Sequence, residues 1–131
     1  MIGLDTNVLV RYIMQDDTRQ SPLASKLVES LTADAPGFVT LVSVVELVWV
    51  MESCYALERA QLGEALEGLL RTKEFVVERA ETIWKAVRVF RDGTADFADC
   101  LIERCAAAAG CERTMTFDRN AAKTCGMSLI L

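Results

Sequence analysis

Five carboxylates stand where chemistry could be built. Asp5 closes the apolar run Ile2-Gly3-Leu4, Glu46 interrupts Val44-Val45 and Leu47-Val48, and Asp118 closes Met115-Thr116-Phe117. Asp96 and Asp99 bracket Phe97-Ala98 and precede a further apolar run. The chain contains no His, which excludes Ser-His-Asp and Cys-His catalysis and any His general base. Acid–base or metal chemistry must therefore run on carboxylates. Charged groups are rarely set so close to a core unless they are paired or bound to metal. Each acid also has an ordinary structural reading. Asp5 can cap the helix that follows it, and Glu46 can be the capping-box partner of Ser43. Asp96 can be an N-cap with Asp99 in the positive first turn behind it, and Asp118 can open the turn Asp118-Arg119-Asn120.

The elements that must position these acids alternate. Short apolar or β-branched runs at 2–5, 38–41, 75–77, 113–117 and 128–131 read as strands. Helical spacing runs through 7–14, from Ser21-Pro22 to Leu31, 43–54, 57–71, 81–91, 97–109 and 120–125. Pro22 fits the first helical position, and Gly110 closes the helix from Phe97. This alternation predicts an α/β domain with a central, mainly parallel five-stranded sheet. In such sheets, sites lie outside the carboxyl ends of the strands, where Asp5 and Asp118 stand and close to where Glu46 and Asp99 follow. The buried face of the Phe97 helix is expected to carry Ala98, Leu101, Ile102, Cys105 and Ala109. The helix over Val44 to Met51 is apolar nearly all round, so it is deeply buried or covered by a partner. Trp49, Trp84, Phe90 and the Leu62-to-Leu70 stripe read as core or dimer surface.

The chain has 131 residues, 52% hydrophobic and 25% charged, with a net charge of −5. That composition excludes disorder and suits one domain over 1–131. The acidic balance argues against a protein held on nucleic acid by bulk positive charge, though not against one acting through bound metal ions. Cys54, Cys100, Cys105, Cys111 and Cys125 form no CxxC pair. They read as reduced, mostly buried thiols of a cytoplasmic protein. No targeting segment or membrane span is visible.

Four stretches carry a family resemblance. Leu4-Asp5-Thr6-Asn7-Val8-Leu9-Val10 resembles the opening motif of PIN-domain nucleases, and Ser43-Val44-Val45-Glu46-Leu47 their second. Asp96-Phe97-Ala98-Asp99-Cys100-Leu101-Ile102 is similar to the third and Thr116-Phe117-Asp118 to the fourth, with Cys100 where a small residue is usual. Order and separation fit over essentially the whole chain. The compact length is most similar to the VapC toxins of bacterial toxin–antitoxin modules.

The resemblance implies a three-layer α/β/α PIN-like fold and a cytoplasmic endoribonuclease that hydrolyses RNA phosphodiester bonds with metal-activated water. Asp5, Glu46, Asp99 and Asp118 would be its catalytic, metal-binding acids, with Asp96 at most an outer ligand. An all-oxygen donor set without His or Cys suits a hard cation, Mg²⁺ or Mn²⁺. Thr6, Ser43 and Thr116, with the Asn7 amide, are candidates to orient those acids; each hydroxyl is as readily a cap or strand-end hydrogen bond. Arg11, Arg113 and Arg119 are candidates for the RNA backbone, although solvated charge is the default for each. A homodimer and a VapB-like antitoxin are implied as partners. A haloacid-dehalogenase phosphatase also begins with a strand ending in Asp, but it needs Asp-x-Asp where this chain has Asn7, and Lys123 is a poor match for its later Lys. A PIN nuclease outside any toxin–antitoxin module, or a PIN module that only binds a partner, remains as an alternative.

Overall fold

The computed structural model describes all residues from Met1 to Leu131. The chain divides into two compact units, Met1–Glu78 and Arg79–Leu131.

In the first unit, β1 (Ile2–Gly3), β2 (Gly37–Val39) and β3 (Phe75–Val77) form a sheet in the order β1-β2-β3. Both pairings are parallel, with Ile2 opposite Gly37 and Gly37 opposite Phe75. Parallel neighbours need a crossover. Helices α1 (Thr6–Met14) and α2 (Gln20–Glu29) supply the first, and α3 (Leu41–Ser53) and α4 (Arg59–Arg71) the second. Leu4, Leu9, Val39, Val44, Leu47, Met51, Leu62 and Leu66 fill the core. The chain approaches closely at Gly37: a Cβ there would lie 2.6 Å from Cδ1 of Leu4, the residue that precedes Asp5, and would make that side chain shift.

In the second unit, α5 (Ala80–Asp92) packs on α6 (Phe97–Ala108), with the Phe90 and Phe97 rings edge-to-face at 5.7 Å. β4 (Met115–Thr116) pairs in parallel with β5 (Ser128–Leu129) across the short helix α7 (Arg119–Thr124). Gly110, at φ +93°, closes α6: Cys111 N–H reaches the Ala106 carbonyl and Gly110 N–H the Ala107 carbonyl.

The α/β class and the parallel pairing agree with the sequence reading. The single five-stranded sheet does not: three strands pair in one unit and two in the other. Every strand is only two or three residues long, so periodicity located the strands but carried no record of which ladders they join. Three local expectations also change. Helix α2 begins at Gln20, so Pro22 is its third residue; Asp17 accepts from the N–H groups of Arg19 and Gln20 and does the capping. Proline is tolerated there because first-turn N–H groups have no helical partner. Helix α3 is capped by Thr40, whose hydroxyl accepts from Ser43 N–H at 3.0 Å, so Ser43 is a first-turn residue. Of the five thiols, all free, only Cys100 and Cys125 are buried.

Candidate active site

Asp5 follows β1 and caps α1, accepting from Thr6 N–H through Oδ1 at 2.8 Å. The cap keeps the carboxylate at the mouth of the helix, exposed, while Thr6 is buried behind it. Glu46 lies one turn into α3 and is also exposed. Since the cap of α3 is Thr40, Glu46 has no capping-box role and its carboxylate is not committed to the helix end. The head of α3 is held by Thr40 and by Glu78, whose carboxylate accepts from Leu41 N–H at 2.7 Å. Ser43 is buried and joined to the Thr40 hydroxyl. Asp5 and Glu46 line one open cavity of about 350 Å³ with Thr6, Asn7, Val10, Arg11 and Val50.

In the second unit, Asp96 occupies the N-cap position of α6 in extended conformation, but its side chain makes no capping hydrogen bond. Asp99, in the first turn, is half-buried. Burial, and then the charges of Asp96 and Asp118, push the Asp99 carboxyl above the ordinary carboxylate range. Asp118 caps α7, accepting from Asn120 and Ala121 N–H through Oδ1 at 2.8 and 3.0 Å. Its own N–H donates to Thr116 Oγ1 at 3.0 Å, so the Thr116 hydroxyl shapes this turn. Asn120 fastens the loop before α6, accepting from the Thr94 hydroxyl and donating to the Thr94 carbonyl. Asp96, Asp99 and Asp118 are thus held on one hydrogen-bonded frame.

The buried residues of α6 are Phe97, Cys100, Leu101 and Glu103, whereas Ile102 and Ala109 are exposed and Ala98 and Cys105 intermediate. The expected buried face was therefore misplaced. Phe97 packs on Phe90 near the end of the preceding helix, a contact between two helices that spacing along one helix cannot reveal. Glu103 was not singled out from the sequence. It is 8% exposed, one turn beyond Asp99, and accepts from Arg104 Nε at 2.6 Å. The signal was its position inside Leu101-Ile102-Glu103, four residues after an acid. Burial raises the Cys125 thiol, and the charges of Asp99 and Glu103 add to it.

The apolar runs around Asp5, Glu46 and Asp118 suggested acids drawn toward the core. All three side chains are exposed instead: Leu4, Val44 and Leu47 turn inward beside Asp5 and Glu46, whereas Met115 and Phe117 beside Asp118 are themselves exposed. No three or more His, Cys, Asp or Glu side chains are preassembled as a group that could hold a metal ion. The donor chemistry nevertheless fits a hard cation: every acid offers oxygen only, and the crowding of charge at Asp99 is what a cation would relieve. No helix is long and apolar enough to cross a membrane.

Comparison with known proteins gives two findings. A family model described as "PIN domain" matches residues 2–127. A protein of Aquifex aeolicus (strain VF5) named "VapC ribonuclease" is 27% identical over 116 residues, covering 88% of this chain and 86% of that protein.

Proposed function

Because the chain belongs to the PIN domain family, we propose that it is an endoribonuclease that hydrolyses RNA phosphodiester bonds with Mg²⁺ or Mn²⁺, and that it is the VapC-like toxin of a toxin–antitoxin module. The observation that carries this reading is the shared cavity of Asp5 and Glu46, acids from two separate motifs on two helices. The crowding of Asp96 and Asp118 on Asp99 supports it. The proposal takes Asp5, Glu46, Asp99 and Asp118 as the metal-binding acids and Asp96 as an outer ligand at most. It takes 1–131 as one PIN domain, since the family match runs through both units.

A bound divalent cation supplies a nucleophilic water at neutral pH and offsets charge on the phosphate. The chain's own residues hold the acids ready. The N–H groups of α1 and α7 fix one oxygen of Asp5 and of Asp118. Thr40 and Glu78 fix the head of α3 and thereby the direction of Glu46. Thr116 and Asn120 hold the turns that carry Asp118 and Asp96.

A cytoplasmic location, a homodimer and a VapB-like antitoxin complete the proposal. The relative's name supports the antitoxin, and the exposed apolar face of α3 supports the dimer. The decisive experiment is cleavage of RNA by the purified chain. Cleavage should appear with Mg²⁺ or Mn²⁺ and vanish with EDTA; cleavage that persists in EDTA, or none with either ion, overturns the reading. Growth arrest on expression that no neighbouring gene product relieves would overturn the toxin–antitoxin part.

A further inference from the structure

The cavity of Asp5 and Glu46 is lined by one cation, Arg11. Arg11 and Asn7 also line a second open groove, between α1 and α2, whose remaining walls are Val8, Gln20, Leu23, Ala24 and Leu27. Arg11 is therefore the junction of an acidic cavity and a largely apolar channel. Its guanidinium is fixed there. Nε donates to Gln20 Oε1 at 2.7 Å, Nη1 donates to Tyr55 Oη at 3.3 Å, and Nη1 lies 3.6 Å from Asp16 Oδ1. These contacts use Nε and Nη1, which leaves Nη2 for a ligand. The side chain is about a third exposed.

Resting on the nuclease reading above, we propose that Arg11 binds a backbone phosphate of single-stranded RNA next to the one that is cleaved, at the junction of the acidic cavity and the α1–α2 groove. Several arguments converge on this. A strand entering a cavity of carboxylates is repelled wherever a phosphate is not matched by a cation, and Arg11 is the lining residue that can match one. Its planar fork is pre-ordered by Gln20 and Tyr55, so little side-chain entropy is lost on binding a phosphate. Beyond it, the groove offers apolar surface, including Leu23 at 60% exposure, which suits the face of an unstacked base. Asn7, at the same junction, carries an amide able to reach a ribose or a base edge.

The test uses the intact chain and a short fluorescein-labelled single-stranded RNA of randomised sequence. Binding is read by anisotropy in Ca²⁺ over a salt series, and single-turnover cleavage is read in Mn²⁺. Arg11→Gln should weaken binding about tenfold and lower the slope of log affinity against log salt by about 0.7, the loss of one single-strand phosphate contact. Arg11→Lys, which keeps the charge and loses the fork, should keep the slope and recover part of the affinity. Arg88→Gln, at an exposed position of α5, should change neither. If Arg11→Gln and Arg88→Gln bind alike with wild-type slopes, Arg11 is only a tether between α1, α2 and Tyr55, and the groove is left to a polypeptide.

Should Arg11→Gln melt well below the wild type, Gln20→Ala decides, because it keeps the charge but frees the fork. Weakened binding at an unchanged slope then supports the proposal, and wild-type binding by both Gln20→Ala and Arg11→Lys overturns it. A wild-type chain that neither binds nor cleaves RNA defeats the nuclease reading itself, a result distinct from equality among the variants.

Discussion

At Asp99, burial and the charges of Asp96 and Asp118 favour the protonated acid, while Asp96 stands exposed at the head of α6. The two share a motif and differ in surroundings, so their substitutions should differ. Asp99→Asn is expected to abolish single-turnover RNA cleavage at saturating Mn²⁺ with the fold intact. Asp96→Asn should keep measurable activity, and it costs little stability because Asn also suits an N-cap. The reverse pattern would exchange the two roles. The shift at Asp99 also has a stability consequence. A carboxyl whose pKa is raised by folding binds its proton more readily in the folded state than in the unfolded one. Its favourable contribution is present below the unfolded pKa and is lost as pH rises through the folded value. In EDTA at neutral pH, Asp99→Asn should therefore melt above the wild type, with the gain fading as the pH falls toward about 4. A gain that is equal at both pH values would refute the electrostatic origin.

Helix α3 shows how one element serves two sides. Val44, Leu47, Val48 and Met51 are buried, whereas Val42 is 77%, Val45 37% and Trp49 62% exposed. Leu41, Val42, Val45, Glu46 and Trp49 line one apolar surface groove. The sequence left open whether this helix was deep in the core or covered by a partner; the structure buries one face and leaves the other exposed. An exposed Trp ringed by Val has the make-up of an interface anchor, for which truncation commonly costs about 2 kcal/mol or more. With a second copy of the chain as the proposed occupant, light scattering should find a wild-type dimer and a Trp49→Glu monomer with unchanged helix content. A wild type that stays monomeric at high concentration removes the dimer.

For the whole chain, metal and stability are linked. Acids that repel one another in the free protein are relieved by a cation that binds only the folded state. At an ion concentration about a hundred times Kd this is worth about 2.7 kcal/mol, which moves the melting temperature of a domain this size by several degrees. Mg²⁺ or Mn²⁺ should raise Tm by that order, and Asp5→Asn should blunt the rise. Superimposable wild-type scans with and without the ion would contradict the assignment of these acids.

The α/β class and the family were legible in the sequence, and the five candidate acids could be nominated there, because these rest on local signals: apolar periodicity, short motifs and their order. The Asp5 cap was legible too, since an N-cap answers to its nearest neighbours. What the sequence did not hold was anything fixed by how one element meets another. The five short strands fall into sheets of three and two, a matter of which backbone groups meet. The cap of α3 is Thr40 and not Ser43, so the helix begins earlier than the motif implies, directly after β2. In α6, Phe97 meets Phe90 of the preceding helix, Ile102 turns outward and Glu103 is buried. The guanidinium of Arg11 is set by Gln20 and Tyr55, the latter far along the chain, and nothing in the pattern around residue 11 announces either partner. Residue types and spacing determined which groups were available for chemistry; tertiary packing decided which of them point at one another, because side-chain direction depends on neighbours that sequence proximity does not supply.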